Sequence, residues 1–286
     1  MPGMRFWLFA VLALVAWAAC GSQPPRCDLP PRPTGPTQPF LWRVQRAGGP
    51  TVWLYGTVHN GGEHDVAPAA WRALDSSPLF VSELGDSEPD PEQARKLARV
   101  WDGKGLDQLL PTSDWYDLRD ALEGRVKEDD LRRARPWFAM TQLMAQLSPP
   151  PSPTMDFALA RHARERHISI AQLESWRDQL AALDAAVGVS DLQQALHARR
   201  TMGCALSSML VTYATGDLPA MEKLLVVEGT ASLLAPRNQR WFPQLEKYLG
   251  EGGGAFVAVG LGHLVGNAGL PAMFERAGAT VERVAP

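Results

Sequence analysis

The hydrophobic pattern predicts short strands at both ends of the folded part of the chain. Strand-like runs of apolar residues lie at 41–45, 51–59 and 79–84, and again at 255–263 and 280–284. Within each group, a short helix that begins near a proline separates two strands, at 68–75 and at 269–278. Each end of the chain therefore predicts a β-α-β unit.

Helices are predicted between these two groups. The pattern is mostly helical over 91–147, 154–166 and 176–250, with one short strand at 168–174. A proline-rich break at 149–153 has the length of a hinge or lid loop. The pattern predicts one α/β domain, in which a small mixed or parallel sheet is built from N- and C-terminal β-α-β units that flank a large α-helical insert.

The amino terminus has the pattern of a signal peptide at residues 1–19. The apolar run from Phe6 to Ala19 follows a single arginine, Arg5, and as a helix it would span about 21 Å, less than the roughly 30 Å of a hydrocarbon core. Small residues directly before Cys20 resemble a bacterial lipoprotein processing site, which predicts a lipid on Cys20 and a membrane anchor. Cleavage after Ala18 and plain secretion is the competing interpretation, and an uncleaved apolar anchor is a third.

A proline-rich tether is predicted at residues 20–39, followed by the folded domain at 40–286. Lipidation of Cys20 would leave Cys27 and Cys204 of the chain's three cysteines. An exported protein lies in a compartment that permits disulfides, so these two could pair, although sequence alone does not establish the geometry. The predicted location is exported, either lipid-anchored to a cell membrane or periplasmic, or secreted.

Composition and charge exclude several classes of protein. The chain has 286 residues, 45% of them hydrophobic and 21% charged, which excludes a disordered chain. The net charge is −3 and the pI about 6.1, so no global positive field is present to bind nucleic acid. The sequence has no Gly-x-Ser-x-Gly elbow, P-loop or Cys-x-x-Cys motif, so serine-hydrolase and nucleotide-binding interpretations have no motif to support them.

The two predicted β-α-β units carry the same motif, Gly-x-x-His, ending at His59 and at His263. Both motifs lie where a strand gives way to a loop, and glycine at that point permits close backbone approach. Ligand crevices of βαβ units form at the carboxyl ends of parallel strands. If the two strands are neighbours, the two imidazoles converge.

Glu83, at the end of the run 79–84, would reach the same edge of the sheet. A carboxylate at the end of an apolar strand is costly unless it is paired or acts as a ligand. Two imidazoles and one carboxylate suit a first-row divalent metal ion. A lone histidine after a strand is more often structural, but two copies in matched contexts are harder to explain by chance.

The remaining histidines have weaker context. The pattern around His162 and His167 is typical of a solvated basic face, and His197 lies on a polar helical stretch. His64, in the loop after the first motif, stays open as an additional mobile ligand.

At these motifs the sequence resembles the TraB/PrgY/GumN family, which includes the Tiki metalloproteases and is related to erythromycin-esterase-like and ChaN-like proteins. The resemblance runs from about Phe40 to Val284 and is most specific at the carboxyl-terminal motif. It is carried by these segments: FLWRVQRAGGPTVWLYGTVH, GLGHLVGNAGLPAMFERAGATVERV, Met155-Asp156, Gln172-Leu173-Glu174, Gly216-Asp217-Leu218 and Arg237-Asn238.

The resemblance implies an α/β sheet with a helical insert and a catalytic or metal-binding set of His59, His263 and Glu83. In the Tiki branch the activity is metal-dependent proteolysis, and Arg237 matches a family arginine that could bind a carboxylate or an oxyanion. Many relatives have an aspartate soon after the strand-end glutamate, whereas here Gly85 intervenes and shifts it to Asp86.

The resulting hypothesis is an exported, lipid-anchored, metal-dependent hydrolase that acts on a peptide or protein substrate, with no nucleic-acid partner. His59 and His263 would hold manganese, cobalt or zinc, and Glu83 would be a third ligand or the general base for a water of lowered pKa. The alternative is a non-catalytic envelope lipoprotein that binds a peptide, a haem-like ligand or a metal. A scaffold lipoprotein with a degenerate site is a third possibility.

Overall fold

The structure is a computed structural model that describes residues 37–85, 90–147, 151–225, 230–250 and 253–286, together with residues 27, 29 and 33. The predicted signal peptide, Cys20 and most of the predicted tether lie outside the described residues. So do Asp86 and part of the proline-rich break. The predictions made for these segments stay predictions.

Six strands form one mixed sheet in the order β4-β3-β5-β2-β1-β6. β1 pairs antiparallel with β2 and with β6, whereas β2, β5, β3 and β4 pair parallel in succession. Among these strands, β1 alone therefore runs against the others. The strands are β1 (Leu41–Gln45), β2 (Thr51–Thr57), β3 (Leu79–Ser82), β4 (Ser169–Gln172), β5 (Ala255–Gly260) and β6 (Thr280–Arg283).

Apart from β4, the described chain between β3 and β5 is mainly helical. One further helix completes each β-α-β unit, as the α/β prediction with a helical insert requires. In the described residues they are α1 (Pro68–Asp75), α2 (Pro91–Leu97), α3 (Leu106–Leu109), α4 (Thr112–Ala121), α5 (Glu128–Arg132), α6 (Pro136–Leu147), α7 (Met155–Glu165), α8 (Trp176–Ala186), α9 (Val189–Thr215), α10 (Leu218–Leu225), α11 (Thr230–Tyr248) and α12 (Leu270–Arg276). The predicted fold class is confirmed.

Local signals in the sequence explain where several elements begin. Proline occupies the first helical position of α1, where its missing N–H costs nothing. Thr154 caps α7, its hydroxyl accepting a hydrogen bond from the backbone N–H of Phe157 at 3.4 Å. β5 is buried along its whole length, as its continuous apolar run predicts for a central parallel strand.

The parallel pairing of β2 with β5 confirms the condition on which the two histidine motifs depended. Thr57, the last residue of β2, lies opposite Gly260, the last residue of β5. β3 pairs with the other side of β5, with Ser82 opposite Ala258. The three strands therefore end together at one edge of the sheet.

Every predicted strand except β1 ends earlier than the sequence pattern indicated. β2 ends at Thr57 rather than 59, and β3 ends at Ser82 rather than 84. β5 ends at Gly260, after which Leu261–His263 forms a single 3₁₀ turn. The apolar pattern runs past β2 and β5 because Val58 and Leu261 are buried although they lie beyond the last paired residues.

The chain divides into two compact units, and the last boundary between them along the sequence, after Leu206, falls within α9. The sheet unit comprises residues 29–87, 150–175 and 207–286, and holds all six strands with α1, α7 and α10–α12. Its core includes three buried aromatic residues on adjacent strands, Tyr55, Phe80 and Phe256, with the Phe256 ring centroid 5.9 Å from Tyr55 and 6.3 Å from Phe80.

Of the described residues, the helical unit comprises Cys27 and the ranges 90–147 and 176–206. Within it, Cys27 and Cys204 form a disulfide with their Cα atoms 5.3 Å apart, so the pairing left open by the sequence is present. The carboxylate of Asp114 lies between α4 and α9, where it accepts a hydrogen bond from Gln193 at 2.9 Å and contacts His197 Nε2 at 3.0 Å. Over the described ranges, none of the helices has both the length and the apolar character needed to span a membrane.

Candidate functional site

The four residues predicted for the site lie together at the carboxyl ends of β2, β3 and β5, within the sheet unit. His59 follows β2 by two residues, Glu83 directly follows β3, and His263 ends the turn after β5. Arg237 enters from α11 and donates a hydrogen bond from Nη2 to Glu83 Oε2 at 2.6 Å. Parallel strands that end at one edge therefore bring residues from four distant parts of the chain into one cluster.

The two motif glycines make the close approach possible. A Cβ on Gly56 would lie 2.5 Å from Leu261 Cδ1 and 3.2 Å from Leu261 Cα, so glycine in the first motif makes room for the turn of the second. A Cβ on Gly260 would lie 3.4 Å from Glu83 Oε1 and 3.5 Å from His59 Nε2. Gly260 thus borders both the carboxylate and the first imidazole, and its own N–H donates to Glu83 Oε1 at 2.9 Å.

Glu83 is a buried carboxylate held in its ionised form. Burial acts to raise its pKa, but the positive charge of Arg237, the imidazoles of His263 and His59, and the N–H of Gly260 together outweigh burial, and the pKa of Glu83 falls to about 2. The side chain is only 10% exposed. Because the charge persists at any physiological pH, the site presents a fixed negative oxygen to whatever occupies it.

Arg237 joins two buried glutamates. Besides Glu83, it binds Glu174 through both Nε, at 3.2 Å from Oε2, and Nη2, at 2.6 Å from Oε1. Burial raises the pKa of Glu174 despite this contact, while the two carboxylates raise the pKa of Arg237 despite its burial. The guanidinium also lies 4.7 Å from the ring centroid of Trp241. Arg237 is therefore a permanent cation in a fixed orientation.

His263 is enclosed, with its side chain 3% exposed. Burial lowers the pKa of His263 to about 3, so the imidazole is neutral near pH 7. Its Nδ1 lies 2.6 Å from Asn238 Oδ1, and its Nε2 lies 3.9 Å from Glu83 Oε1. The ring packs against Trp241, with the two centroids 4.4 Å apart.

His59 lies in a more open environment, with its side chain 31% exposed. Its Nδ1 lies 3.8 Å from Oδ2 of Asp156, the second residue of α7. The other oxygen of Asp156 accepts a hydrogen bond from the Thr57 hydroxyl at 2.7 Å, which ties α7 to the end of β2. His59 directs Nε2 toward Gly260, so the Asp156 carboxylate lies on the opposite side of the imidazole ring.

The donor types at the site fit a divalent ion. Two ligand atoms that share one ion at roughly 2.0–2.2 Å can lie up to about 4 Å apart. The separation of 3.9 Å between His263 Nε2 and Glu83 Oε1 meets this condition. Across the described residues, however, no group of three or more histidine, cysteine, aspartate or glutamate side chains is already arranged to hold a metal ion.

Sequence comparison decides the family. The TraB/PrgY/gumN family matches residues 40–283, which include β1–β6 and every residue of the cluster. The chain belongs to the TraB/PrgY/gumN family. No curated protein and no solved structure matched the sequence significantly.

Three residues of the cluster had no predicted role: Asp156, Glu174 and Asn238. Each lies outside the repeated β-α-β units, and each occurs in a short segment that carries the family resemblance: Met155-Asp156, Gln172-Leu173-Glu174 or Arg237-Asn238. Polar residues within these segments were the signal that could have identified them.

The other histidines lie elsewhere. His162 is not simply a solvated basic residue, because its Nε2 contacts Asp75 at 2.8 Å and its ring packs on Trp71. His64 is 70% exposed and lies 3.3 Å from the carboxylate of Asp65.

Proposed function

We propose that the protein is a metal-dependent hydrolase that acts on peptide bonds, with His59, His263 and Glu83 as the residues that hold a divalent ion. The observation that carries the proposal is the convergence of an ionised carboxylate oxygen and a neutral imidazole nitrogen, 3.9 Å apart, beside a second imidazole at Gly260. Manganese, cobalt and zinc all accept nitrogen and oxygen ligands of these kinds.

Each residue of the cluster has a distinct part in this proposal. Glu83 supplies negative charge, and Arg237 holds that carboxylate in one orientation through Oε2. His263 supplies a nitrogen that burial keeps neutral and available as a ligand. His59, with Asp156 behind it, is accessible enough to meet a substrate or to transfer a proton. When bound, the ion would act as a Lewis acid that polarises a peptide carbonyl and acidifies water.

Metal content is the first test. Protein purified without chelators should contain close to one equivalent of manganese, cobalt or zinc by elemental analysis, and His59→Ala and His263→Ala should each lower that content several-fold. His162→Ala is the matched control, because His162 belongs to the same unit but its imidazole binds Asp75. Equal metal content in wild type, His59→Ala and His263→Ala would rule out the proposed ligands.

Turnover is the second test. A peptide library incubated with the metal-loaded protein should be cleaved by wild type and not by Glu83→Gln, which keeps the size of the side chain but removes its charge. The main alternative is a non-catalytic envelope protein that captures a peptide, a haem-like ligand or a metal. Binding without cleavage, unaffected by Glu83→Gln, would select that alternative.

We further propose that the protein is exported and anchored to a membrane through a lipid on Cys20. The leader sequence supports this location, and so does the Cys27–Cys204 disulfide, because disulfides persist in oxidising compartments outside the cytosol. Metabolic labelling with a radioactive fatty acid should mark the wild-type protein and not Cys20→Ser. Label retained by Cys20→Ser would contradict the anchor, while unlabelled wild-type protein in the medium would indicate plain secretion.

A further inference from the structure

We infer that Asn238 is a positioning residue that holds His263 with its proton on Nδ1, so that Nε2 faces Glu83 as an electron-pair donor. The use of that donor for a metal ion rests on the proposed function. The tautomer itself does not, because it follows from the hydrogen bonds around the amide.

The orientation of the Asn238 amide is determined by two backbone carbonyls. Its Nδ2 donates to the carbonyl oxygen of His263 at 3.1 Å and to that of Ala268 at 2.9 Å. These two acceptors use both protons of the amide nitrogen, so the nitrogen cannot exchange places with the oxygen without losing both bonds. The Oδ1 atom must then face His263 Nδ1, 2.6 Å away.

An amide oxygen can only accept a hydrogen bond. The short contact therefore requires a proton on Nδ1 of His263, and a neutral imidazole with Nδ1–H has no proton on Nε2. Nε2, which lies 3.9 Å from Glu83 Oε1, consequently presents a lone pair to a negative oxygen.

This arrangement is not the one that the ring and Glu83 would adopt by themselves. With the proton on Nε2, His263 could close the 3.9 Å gap and donate to Glu83, which would satisfy both groups without any ligand. Asn238 prevents this by holding an acceptor 2.6 Å from Nδ1, on the opposite side of the ring. Two electron-rich atoms are left facing each other, which is an arrangement that a cation stabilises.

The neighbouring residue on α11 acts on the carboxylate in a similar way. Arg237 donates to Oε2 of Glu83, and the N–H of Gly260 donates to Oε1 of the same carboxylate. One turn of α11 thus orients both donors.

The test is the tautomer of His263 measured by ¹⁵N NMR on full-length, metal-free protein with ¹⁵N-labelled histidine. Long-range proton–nitrogen correlations distinguish a protonated ring nitrogen from a bare one. Wild type should show the proton on Nδ1. Asn238→Asp should keep it there, because the carboxylate still accepts, whereas Asn238→Leu should move it to Nε2. The resonances of His162 provide an internal control.

Affinity for Mn²⁺ or Co²⁺ supplies the functional readout. Asn238→Leu should bind the ion about 10–100-fold more weakly than wild type, the usual effect of removing a partner that orients a metal-binding histidine. A wild-type His263 protonated on Nε2, or an Asn238→Leu that keeps the proton on Nδ1, would overturn the inference. If Asn238→Leu does not fold, wild type and Asn238→Asp still decide the tautomer. Correct tautomers with no metal bound by wild type would support the inference and reject the proposed function.

Discussion

The two Gly-x-x-His motifs share a sequence pattern but place their imidazoles in opposite environments. His263 is 3% exposed, contacts an uncharged amide at Nδ1, and has its pKa lowered by burial to about 3. His59 is 31% exposed and has the Asp156 carboxylate 3.8 Å from Nδ1. Nevertheless, His263 directs Nε2 toward Glu83 Oε1, and His59 directs Nε2 toward Gly260, whose N–H donates to that same oxygen.

The difference indicates a division of labour within one repeat. The enclosed copy provides a rigid, neutral nitrogen, and the open copy provides an imidazole that solvent and substrate can reach. Elements outside the repeat create this asymmetry, since α7 supplies Asp156 to the first copy and α11 supplies Asn238 to the second. Identical motifs therefore acquire different chemistry from their neighbours rather than from their own residues.

Removal of the positive charge of Arg237 should have the largest effect on stability. Arg237→Met leaves the buried carboxylates of Glu83 and Glu174 without their shared cation, which should lower the free energy of unfolding by about 3–5 kcal/mol. Urea denaturation measures this loss. Arg240→Met is the control, because the Arg240 side chain is 57% exposed and comes no closer than 3.9 Å to Glu174. This substitution should change the free energy of unfolding by less than about 0.5 kcal/mol. Equal effects of the two substitutions would contradict the buried network.

Truncation of the two imidazoles should separate the copies next. His263→Ala removes a ring packed on Trp241 and leaves Oδ1 of Asn238 without the imidazole, so a loss of about 2–5 kcal/mol is expected. His59→Ala should cost about 1 kcal/mol or less, because the ring is partly exposed. Thermal unfolding of the metal-free variants measures both. A His59→Ala variant as unstable as His263→Ala would show that the two environments are alike.

The two motif glycines give a matched pair with a smaller effect. Gly56→Ala would force a methyl group to within 2.5 Å of Leu261 Cδ1, so overpacking should cost about 1–3 kcal/mol. Gly260→Ala meets its neighbours at 3.4 Å or more, so stability should change by less than about 1 kcal/mol, yet the methyl group would lie against Glu83 Oε1 and His59 Nε2. Metal binding should therefore fall in Gly260→Ala while the fold persists. Unchanged metal affinity in a folded Gly260→Ala would exclude this position from the site.

Acid should reveal the enclosed copy most gradually. Below about pH 6.5 the unfolded chain protonates His263, but the folded protein does not until about pH 3, so the free energy of unfolding should fall with decreasing pH by up to about 1.4 kcal/mol per unit. Glu83 acts in the same direction between 4.5 and about 2, because it stays ionised only in the folded state. Denaturation of metal-free protein at several pH values gives the free energy of unfolding, which should depend less on pH in His263→Ala than in wild type. Parallel curves for the variant and wild type would assign the acid sensitivity to other groups.

The repeat made the sheet and the two histidines predictable from sequence. The matching β-α-β units predicted convergence of the two imidazoles on the condition that the motif strands are neighbours, and the pairing of Thr57 with Gly260 meets that condition. The position of β6 was not predictable, because the second unit crosses β2 and β1 to reach the far edge of the sheet. Strand order depends on how helices pack across the sheet, and no local pattern encodes it.

The partners that orient the site were beyond sequence patterns. The Thr57–Asp156 contact spans 99 positions, and the Arg237–Glu174 contact spans 63. Such contacts depend on how α7 and α11 pack, whereas periodicity reports only which face of a helix is apolar. Glu83 was predictable for the opposite reason, since a carboxylate that directly ends an apolar strand needs a partner wherever the chain goes.

The disulfide between Cys27 and Cys204 has a consequence for how the molecule would respond to a protease. It closes a covalent ring over a sequence separation of 177 positions, and that ring contains His59, Glu83 and Glu174. A single cut at any peptide bond within the ring leaves both fragments joined through sulfur, so the nicked molecule keeps its mass until a reductant is added. Arg237 and His263 lie on the chain beyond the ring and would stay covalently attached to the other three residues after such a cut.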